Sequence, residues 1–183
     1  SGDTGKAAMA GFANVEGTRI IVFYPKNGVS KVQEMQMVTQ TGDNVDVVAI
    51  HGNFDNAQSG VKAMFEDKKL AEELDKHGYQ FSSANSINIG RLVPQVVYYV
   101  YAYAKLLDNE EIQPGEQINV VVPTGNFGNI LAAYFAKQLG VPIKKLICAS
   151  NDNKVLYDFF QTGTYDRQRD FILTTSPSMD ILI

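Results

Sequence analysis

The chain has 183 residues, of which 45% are hydrophobic and 20% charged, and its formal net charge at pH 7 is −4. This length suits one domain or two small lobes whose core needs no disulfide. The negative charge argues against a nucleic-acid-binding surface, which requires a basic field. The sequence has no apolar run near the roughly 20 residues of a membrane span. It also has no secretory or lipidation signal, so we expect a cytoplasmic protein without a membrane partner.

Predicted strands and helices alternate along the chain. The strands are short, rich in valine and isoleucine and continuously apolar, which is typical of parallel strands covered on both faces; they are RIIVFYP (19–25), VDVVAIH (45–51), INVVVPT (118–124) and KKLICAS (144–150). Helical patterns cover 4–14, 30–39, 57–76, 89–107, 129–139 and 154–161. This order predicts an α/β fold with open, mostly parallel sheets flanked by helices.

The polar loop FSSANSINIG (81–90) separates a charged helical pattern from a long aromatic one. If the chain has two lobes, we expect the division here, with a smaller α/β lobe at 1–86 and part of a larger lobe at 87–183. The aromatic helix is expected to be a buried core helix. Its tyrosines leave open whether it serves a core or a subunit interface; they are Tyr98, Tyr99, Tyr101 and Tyr103.

The single cysteine and the two histidines do not form a reactive or metal-binding constellation. Cys148 lies in the apolar run KKLICAS, where a buried structural thiol is expected rather than a nucleophile. His51 and His77 have no cysteine or carboxylate partners at metal-ligand spacing. We therefore predict no metal site.

The first candidate site is SGDTGKAA at the start of the chain. It is similar to the end of a nucleotide-binding phosphate loop, but Ala7 stands where that loop needs a hydroxyl for magnesium. We interpret the stretch as a loop entering a helix, where Ser1, Asp3 and Thr4 lie near the first free backbone N–H groups. A plain helix cap remains the alternative.

The second candidate site is SANSINIGR. Asn85 and Ser86 lie in a loop, and Arg91 follows in the first turns of the next helix. Two neutral donors with one arginine suit an anionic group such as phosphate or carboxylate. A surface arginine with no ligand is the alternative.

The third candidate site is PTGNFGN, where a β-branched strand passes directly into an apolar helix. Such a turn leaves backbone N–H groups at the positive end of a helix, which favours an anion. Only Gly125 and Gly128 are present, so the three-glycine dinucleotide fingerprint is not met. A mononucleotide or a small phosphorylated cofactor fits better, and a turn without a ligand remains possible.

Taken together and in this order, several stretches resemble the motifs of threonine synthase, an enzyme of the tryptophan-synthase-β-like fold that uses pyridoxal phosphate (PLP); they are SGDTG, YPKNGVSKVQEMQM, SANSINIGR, PTGNFGN and SPSMDIL. The resemblance runs through essentially all 183 residues. It implies the fold-type II architecture of PLP enzymes in two lobes. Because the chain opens at SGDTGKAA and stops at SPSMDILI, we expect an internal fragment of that architecture.

The resemblance also implies roles for the candidate residues. The loop of Gly125, Asn126, Phe127, Gly128 and Asn129 would hold the phosphate of PLP through backbone N–H groups. The substrate carboxylate would lie at Ser1, Asp3 and Thr4. Related enzymes often have asparagine where this chain has Asp3, so two roles remain open for Asp3: it contacts the substrate, or it only orients the loop. Asn85, Ser86 and Arg91 would hold the substrate phosphate.

The activity that the resemblance implies is a carbon–oxygen lyase reaction in threonine biosynthesis, which converts O-phospho-L-homoserine and water to L-threonine and phosphate. In the family, the lysine that forms a Schiff base with PLP stands in a Phe-Lys-Asp motif upstream of the SGDTG-like loop. That motif is not among these residues, and the similar FEDKK (65–69) has Glu66 in place of the lysine. We therefore expect this chain alone to be inactive, with a parent that is a monomer or a homodimer.

Three other interpretations remain open. A serine/threonine dehydratase or a cysteine synthase would share the fold, but the unmodified substrates of a dehydratase need no arginine for a phosphate. A non-catalytic relative would bind a phosphorylated metabolite or act as a secreted signal. An excised folding core would be indifferent to PLP.

Overall fold

The computed structural model describes residues 2–85, 88–166, 168–170, 172, 174–176, 179 and 180; the side chains of Gly2 and Asp3 are outside this description. The chain forms two compact units, residues 1–84 and 85–183. The division falls inside the polar loop at 81–90. No helix among the described residues is both long and apolar enough to cross a membrane.

The first unit is built around a parallel strand pair. Its elements are α1 (Gly2–Phe12), β1 (Ile20–Pro25), α2 (Lys31–Val38), β2 (Val45–Ile50), α3 (Phe54–Glu66) and α4 (Lys68–Lys76). The pairing runs in register from Ile20 opposite Val45 to Pro25 opposite Ile50. Because parallel neighbours need a crossover, α2 connects the two strands.

The core of this unit lies between α1, β1 and α2. It consists of Met9, Val22, Tyr24 and Met37, of which the two methionines are fully buried. Helix α2 begins with a capping box, in which the Ser30 hydroxyl accepts a hydrogen bond from the Gln33 N–H and the Gln33 side chain accepts one from the Ser30 N–H. This cap sets the point at which the chain turns back over the sheet.

The single helix expected at 57–76 is in fact two helices, and that prediction is wrong. Helix α3 begins earlier than expected, because Asn53 and Asn56 form a capping box at its start. Asp67 interrupts the helical path, since its carboxylate accepts hydrogen bonds from the N–H groups of Lys69 and Leu70 and so caps α4. An aspartate competes in this way with the helix that precedes it.

The second unit also contains a parallel strand pair. Its elements are α5 (Ile89–Leu92), a 3₁₀ turn (Val93–Gln95), α6 (Val96–Asp108), β3 (Ile118–Pro123), α7 (Gly128–Gln138), β4 (Ile143–Ala149) and α8 (Val155–Thr162). The strands pair from Ile118 opposite Ile143 to Pro123 opposite Ala149, with an irregularity after Ile118. Helix α7 is the crossover and buries Ile130, Ala132, Ala133 and Ala136.

Three expectations about the second unit are wrong. The helix expected at 89–107 is interrupted by the 3₁₀ turn at Pro94, because proline has no N–H to continue the helical ladder. Helix α6 is not a buried core helix: none of its described residues is buried, and Tyr98 is 71% exposed. The strands are not covered on both faces either, since Val121 is 60% exposed.

Candidate functional site

The turn between β3 and α7 carries the third sequence motif. Strand β3 ends at Pro123, and the Thr124 N–H donates to the Ala149 carbonyl at 2.7 Å, which holds the two strand ends together. Helix α7 begins at Gly128, and Phe127 is its N-cap with φ +64°. That left-handed conformation is costly for a bulky residue and lets the chain enter the helix directly. Among the described residues, no side chain caps the helix at this position.

The backbone N–H groups of this turn are available to a ligand. Within the part of the chain that the structure describes, no protein group accepts a hydrogen bond from the backbone N–H of Gly125, Asn126, Phe127, Gly128 or Asn129. The positive end of the α7 dipole adds to their partial charges. The turn therefore has the donors and the field that an anionic group such as a phosphate requires.

Asn129 fastens the turn through its side chain. Its Nδ2 donates to the Pro123 carbonyl at 2.9 Å, and its Oδ1 accepts from the Ile130 N–H at 2.8 Å. From α6, the Tyr99 hydroxyl donates to the Asn129 carbonyl at 2.7 Å, and burial raises the pKa of this tyrosine. Because the Asn129 amide is engaged in this way, its contribution to an anion site is its backbone N–H.

Thr124 supplies a further donor that the sequence motif did not indicate. Its Oγ1 is buried and has no hydrogen-bond partner among the described residues. The hydroxyl lies beside a cleft lined by Thr124, Gly125, Ser150, Asn153, Val155, Leu156 and Met179. A buried hydroxyl without a partner is costly, about 1–3 kcal/mol. A ligand phosphate that accepts this hydrogen bond would remove that cost, so the donor set fits the phosphate of PLP.

The second motif, from Asn85 onward, lies on the same unit as this turn. Helix α5, which carries Arg91, packs against α7 and buries Leu92. Asn88 caps α5 by accepting from the Gly90 N–H at 2.8 Å, and the Asn88 N–H donates to the Asn85 carbonyl at 3.2 Å. Asn85 and Arg91 are half-buried and both make further contacts within the protein. Ser86 lies outside the described residues.

The first motif lies on the first unit and is helical from its second residue. Because α1 begins at Gly2, Asp3 and Thr4 belong to the first helical turn, and the loop expected there is wrong. Thr4 is half-buried and has a partner in the protein. Ser1 and the side chain of Asp3 lie outside the described residues, so their predicted contacts with a carboxylate stay predictions.

Gly5 of the same motif has a packing role that sequence reasoning missed. The residue is buried, and a Cβ placed on it would lie 2.8 Å from Cγ1 of Val22 and 3.5 Å from Sδ of Met37. Only a glycine therefore lets α1 approach β1 this closely. The available signal was the four-residue spacing between Gly5 and the fully buried Met9, which puts both on one helix face.

The Lys6 ammonium is hydrogen-bonded within the protein, and the Cys148 thiol is partly shielded from solvent. The Lys6 ammonium donates to the Gln40 side chain. Cys148 is half-buried in a groove with apolar neighbours such as Phe127, Ile130 and Leu146, and burial raises the pKa of its thiol. This partly agrees with the expected structural thiol, although the residue is not fully buried.

No family model matches the chain. Among curated proteins, Threonine synthase-like 1 of Pongo abelii is 46% identical and threonine synthase of Eremothecium gossypii is 43% identical, each over the whole chain. A solved structure, PLP-bound threonine synthase from Brucella melitensis, matches all of the chain with a TM-score of 0.80 and 42% identity. Along its whole length the chain is similar to proteins of the threonine synthase family.

The chain spans only part of the length of these relatives. It spans 25% of the Pongo abelii relative, 34% of the Eremothecium gossypii enzyme and 37% of the Brucella melitensis chain. The expected fold class is confirmed, because short parallel sheets flanked by helices match a threonine synthase structure along the full length of the chain.

Proposed function

We propose that the parent protein is a PLP-dependent threonine synthase that converts O-phospho-L-homoserine and water to L-threonine and phosphate. The observation that carries this proposal is the turn at the start of α7, where the backbone N–H groups of residues 125–129 and the Thr124 hydroxyl have no acceptor among the described residues. The 43% identity to a threonine synthase and the likeness to a PLP-bound one support it.

In this proposal the turn holds the phosphate of PLP. The backbone N–H groups of residues 125–129 and the Thr124 hydroxyl donate to its oxygens, while Asn129 keeps the two ends of the turn together. When bound, PLP supplies the electron sink that lets an amino-acid substrate lose protons next to its amine. The protein's part is to anchor and aim that group.

The loop and helix that carry Asn85, Ser86 and Arg91 hold the substrate phosphate. Arginine offers a planar pair of donors that matches phosphate oxygens, and the packing of α5 on α7 places Arg91 on the unit that carries the turn. Because phosphate is the leaving group, donors that hold it stabilise the charge that develops as the carbon–oxygen bond breaks. An exposed lysine would do this less well, since it lacks the fork geometry.

The start of α1 binds the substrate carboxylate. Thr4 offers a hydroxyl in the first turn of the helix, where the helix dipole favours an anion, and Ser1 precedes that turn in the sequence. An ionised Asp3 would repel a carboxylate, so we assign it to orienting this segment.

None of the 183 residues corresponds to the Schiff-base lysine that the family uses. We therefore propose that these residues alone do not convert the substrate. A PLP-dependent rate close to that of the parent protein would contradict this. The parent's assembly as a monomer or homodimer and its cytoplasmic location stay predictions, to be tested by light scattering and cell fractionation.

The function is tested on the full-length parent protein. Purified protein with PLP is given O-phospho-L-homoserine, O-phospho-L-serine or L-threonine, and release of phosphate and of ammonia is followed. We expect phosphate release from O-phospho-L-homoserine alone. Deamination of L-threonine without phosphate release would instead assign the protein to the serine/threonine dehydratases.

The role of Arg91 is tested by Arg91→Ala, with the exposed Arg19→Ala as the matched control. Loss of a charge-assisted contact to phosphate costs about 1.5–3 kcal/mol, so kcat/KM for O-phospho-L-homoserine should fall by roughly 10- to 100-fold. Arg19→Ala should leave it unchanged. Equal rates for the two variants would remove Arg91 from the site.

A further inference from the structure

A buried polar cluster lies beyond the carboxyl end of β4. Among the described residues, Asn153 and Asp180 are the buried polar ones, at 6% and 7% exposure. They join the loop after β4 to a later segment of the chain that carries Ile172 and Thr174. We call Asn151, Asn153, Thr174 and Asp180 the Asp180 cluster. The candidate site residues do not include any of them.

Asp180 is the acceptor at the centre of this cluster. Its Oδ1 accepts hydrogen bonds from Asn151 Nδ2 at 2.7 Å, Asn153 Nδ2 at 2.9 Å and Thr174 Oγ1 at 2.8 Å. Its Oδ2 accepts from the Thr174 N–H at 3.0 Å. All of these partners are donors, which is the set that a carboxylate requires and that an amide could not satisfy at both positions.

The remaining polar atoms of the cluster are used as well. Asn153 Nδ2 also donates to the Ile172 carbonyl at 2.7 Å, and Asn153 Oδ1 accepts from the Ile172 N–H at 3.0 Å. Asn151 Oδ1 accepts from the Asn153 N–H at 3.0 Å. A buried network in which every member has partners holds its parts in one arrangement.

The cluster lies next to the turn after β3. Strands β3 and β4 end side by side, with Pro123 opposite Ala149. The cleft beside the Thr124 hydroxyl has Thr124 and Gly125 among its lining residues, together with Asn153 and Met179, the neighbour of Asp180. Asn153 and Met179 therefore line the same cleft as Thr124 and Gly125.

We propose that Asp180 is a positioning residue for the phosphate-binding turn. By holding Asn153 and the segment that carries Met179, it keeps Thr124 and Gly125 where their donors meet the phosphate of PLP. Asp180 acts through these neighbours and touches no ligand. The inference rests on the proposed role of the turn and adds to it a residue more than 50 positions further along the chain.

The test compares PLP with pyridoxal, which lacks the phosphate, on the full-length parent protein after removal of its cofactor. Asp180→Asn replaces the central acceptor, and Asp170→Asn is the control, because Asp170 is exposed and the charge change is the same. Dissociation constants are measured by fluorescence well below the melting temperature of each variant. We expect Asp180→Asn to weaken PLP about tenfold and pyridoxal less than about twofold, with Asp170→Asn unchanged.

The ratio of the two affinities separates the possible outcomes. If the unaltered protein binds PLP no better than pyridoxal, the proposed role of the turn fails. If it prefers PLP but Asp180→Asn keeps the same preference, or weakens both ligands equally, the positioning role is overturned. Should Asp180→Asn not fold, Thr174→Val removes a single hydroxyl, which donates to Asp180 and accepts from the Asn151 amide and the Ser176 N–H. A preference for PLP unchanged by this variant would overturn the inference equally.

Discussion

The close approach of α1 to β1 makes Gly5→Ala a sensitive test of the packing in the first unit. The added Cβ would lie 2.8 Å from Cγ1 of Val22, well inside van der Waals contact. Val22 is 6% exposed and β-branched, so its methyl group has little freedom to move away. A Cβ added to Gly11, in the same helix, would meet no neighbouring atom within 4 Å, so Gly11→Ala is the matched control.

Two opposing terms set the size of the effect. Alanine is favoured over glycine in a helix by up to about 1 kcal/mol, which is all that Gly11→Ala should change. Overpacking a close-packed core costs about 1–3 kcal/mol, and this cost applies to Gly5→Ala alone. We therefore expect Gly5→Ala to be less stable than Gly11→Ala by about 1–3 kcal/mol, with the helix term cancelled between them.

The measurement must report on the first unit alone, since a chain with two compact units need not unfold in one step. Hydrogen exchange of the β1 amides as a function of urea gives the free energy of opening of this unit. The double variant Gly5→Ala with Val22→Ala removes the clashing methyl, so the cost of Gly5→Ala should largely vanish in that background. Equal stability of the two single variants, or a cost that persists without Cγ1, would refute the packing argument.

Three further predictions concern the second unit. Asn129→Ala removes the hydrogen bonds to Pro123 and to the following N–H and should cost about 1–2 kcal/mol in urea unfolding; unchanged stability would contradict the bracing role. A hydrogen bond from Arg169 lowers the pKa of Asp158. The ionised carboxylate therefore stabilises the fold above about pH 4, and this stabilisation is lost as pH falls through the lowered pKa. Between about pH 6 and pH 3 the melting temperature of Asp158→Asn should depend less on pH than that of the unaltered chain. Because burial raises the pKa of Cys148, iodoacetamide should alkylate it at pH 8 more slowly in the folded chain than in guanidinium, and equal rates would disprove shielding.

The local part of this architecture is readable from the sequence. The four strand patterns lie within one residue of the observed β1 to β4, because β-branched runs bounded by turn residues leave few alternatives. The turn at PTGNFGN is likewise a local property of one strand and one helix. The break between α3 and α4 at Asp67 was also predictable from the sequence, because aspartate before a helical pattern is a known signal for a helix start. The prediction of one continuous helix overlooked that signal.

The remaining features depend on contacts between distant parts of the chain. The exposure of α6 cannot be read from its composition, because burial is decided by what packs against the helix. The clearance at Gly5 depends on Val22, and the cluster around Asp180 joins residues 27 and 29 positions apart. Such pairings leave no periodic signal along the sequence.

The left-handed Phe127 has a consequence for how the turn after β3 meets a ligand. A non-glycine residue in this conformation costs about 1–2 kcal/mol, and the protein bears that cost when it folds. The turn is therefore preorganised, and an arriving anion does not have to order the backbone before it binds. The strained residue lowers the stability of the folded protein but spares the anion the cost of ordering the turn. A glycine at position 127 would make the protein more stable and its affinity for the anion lower.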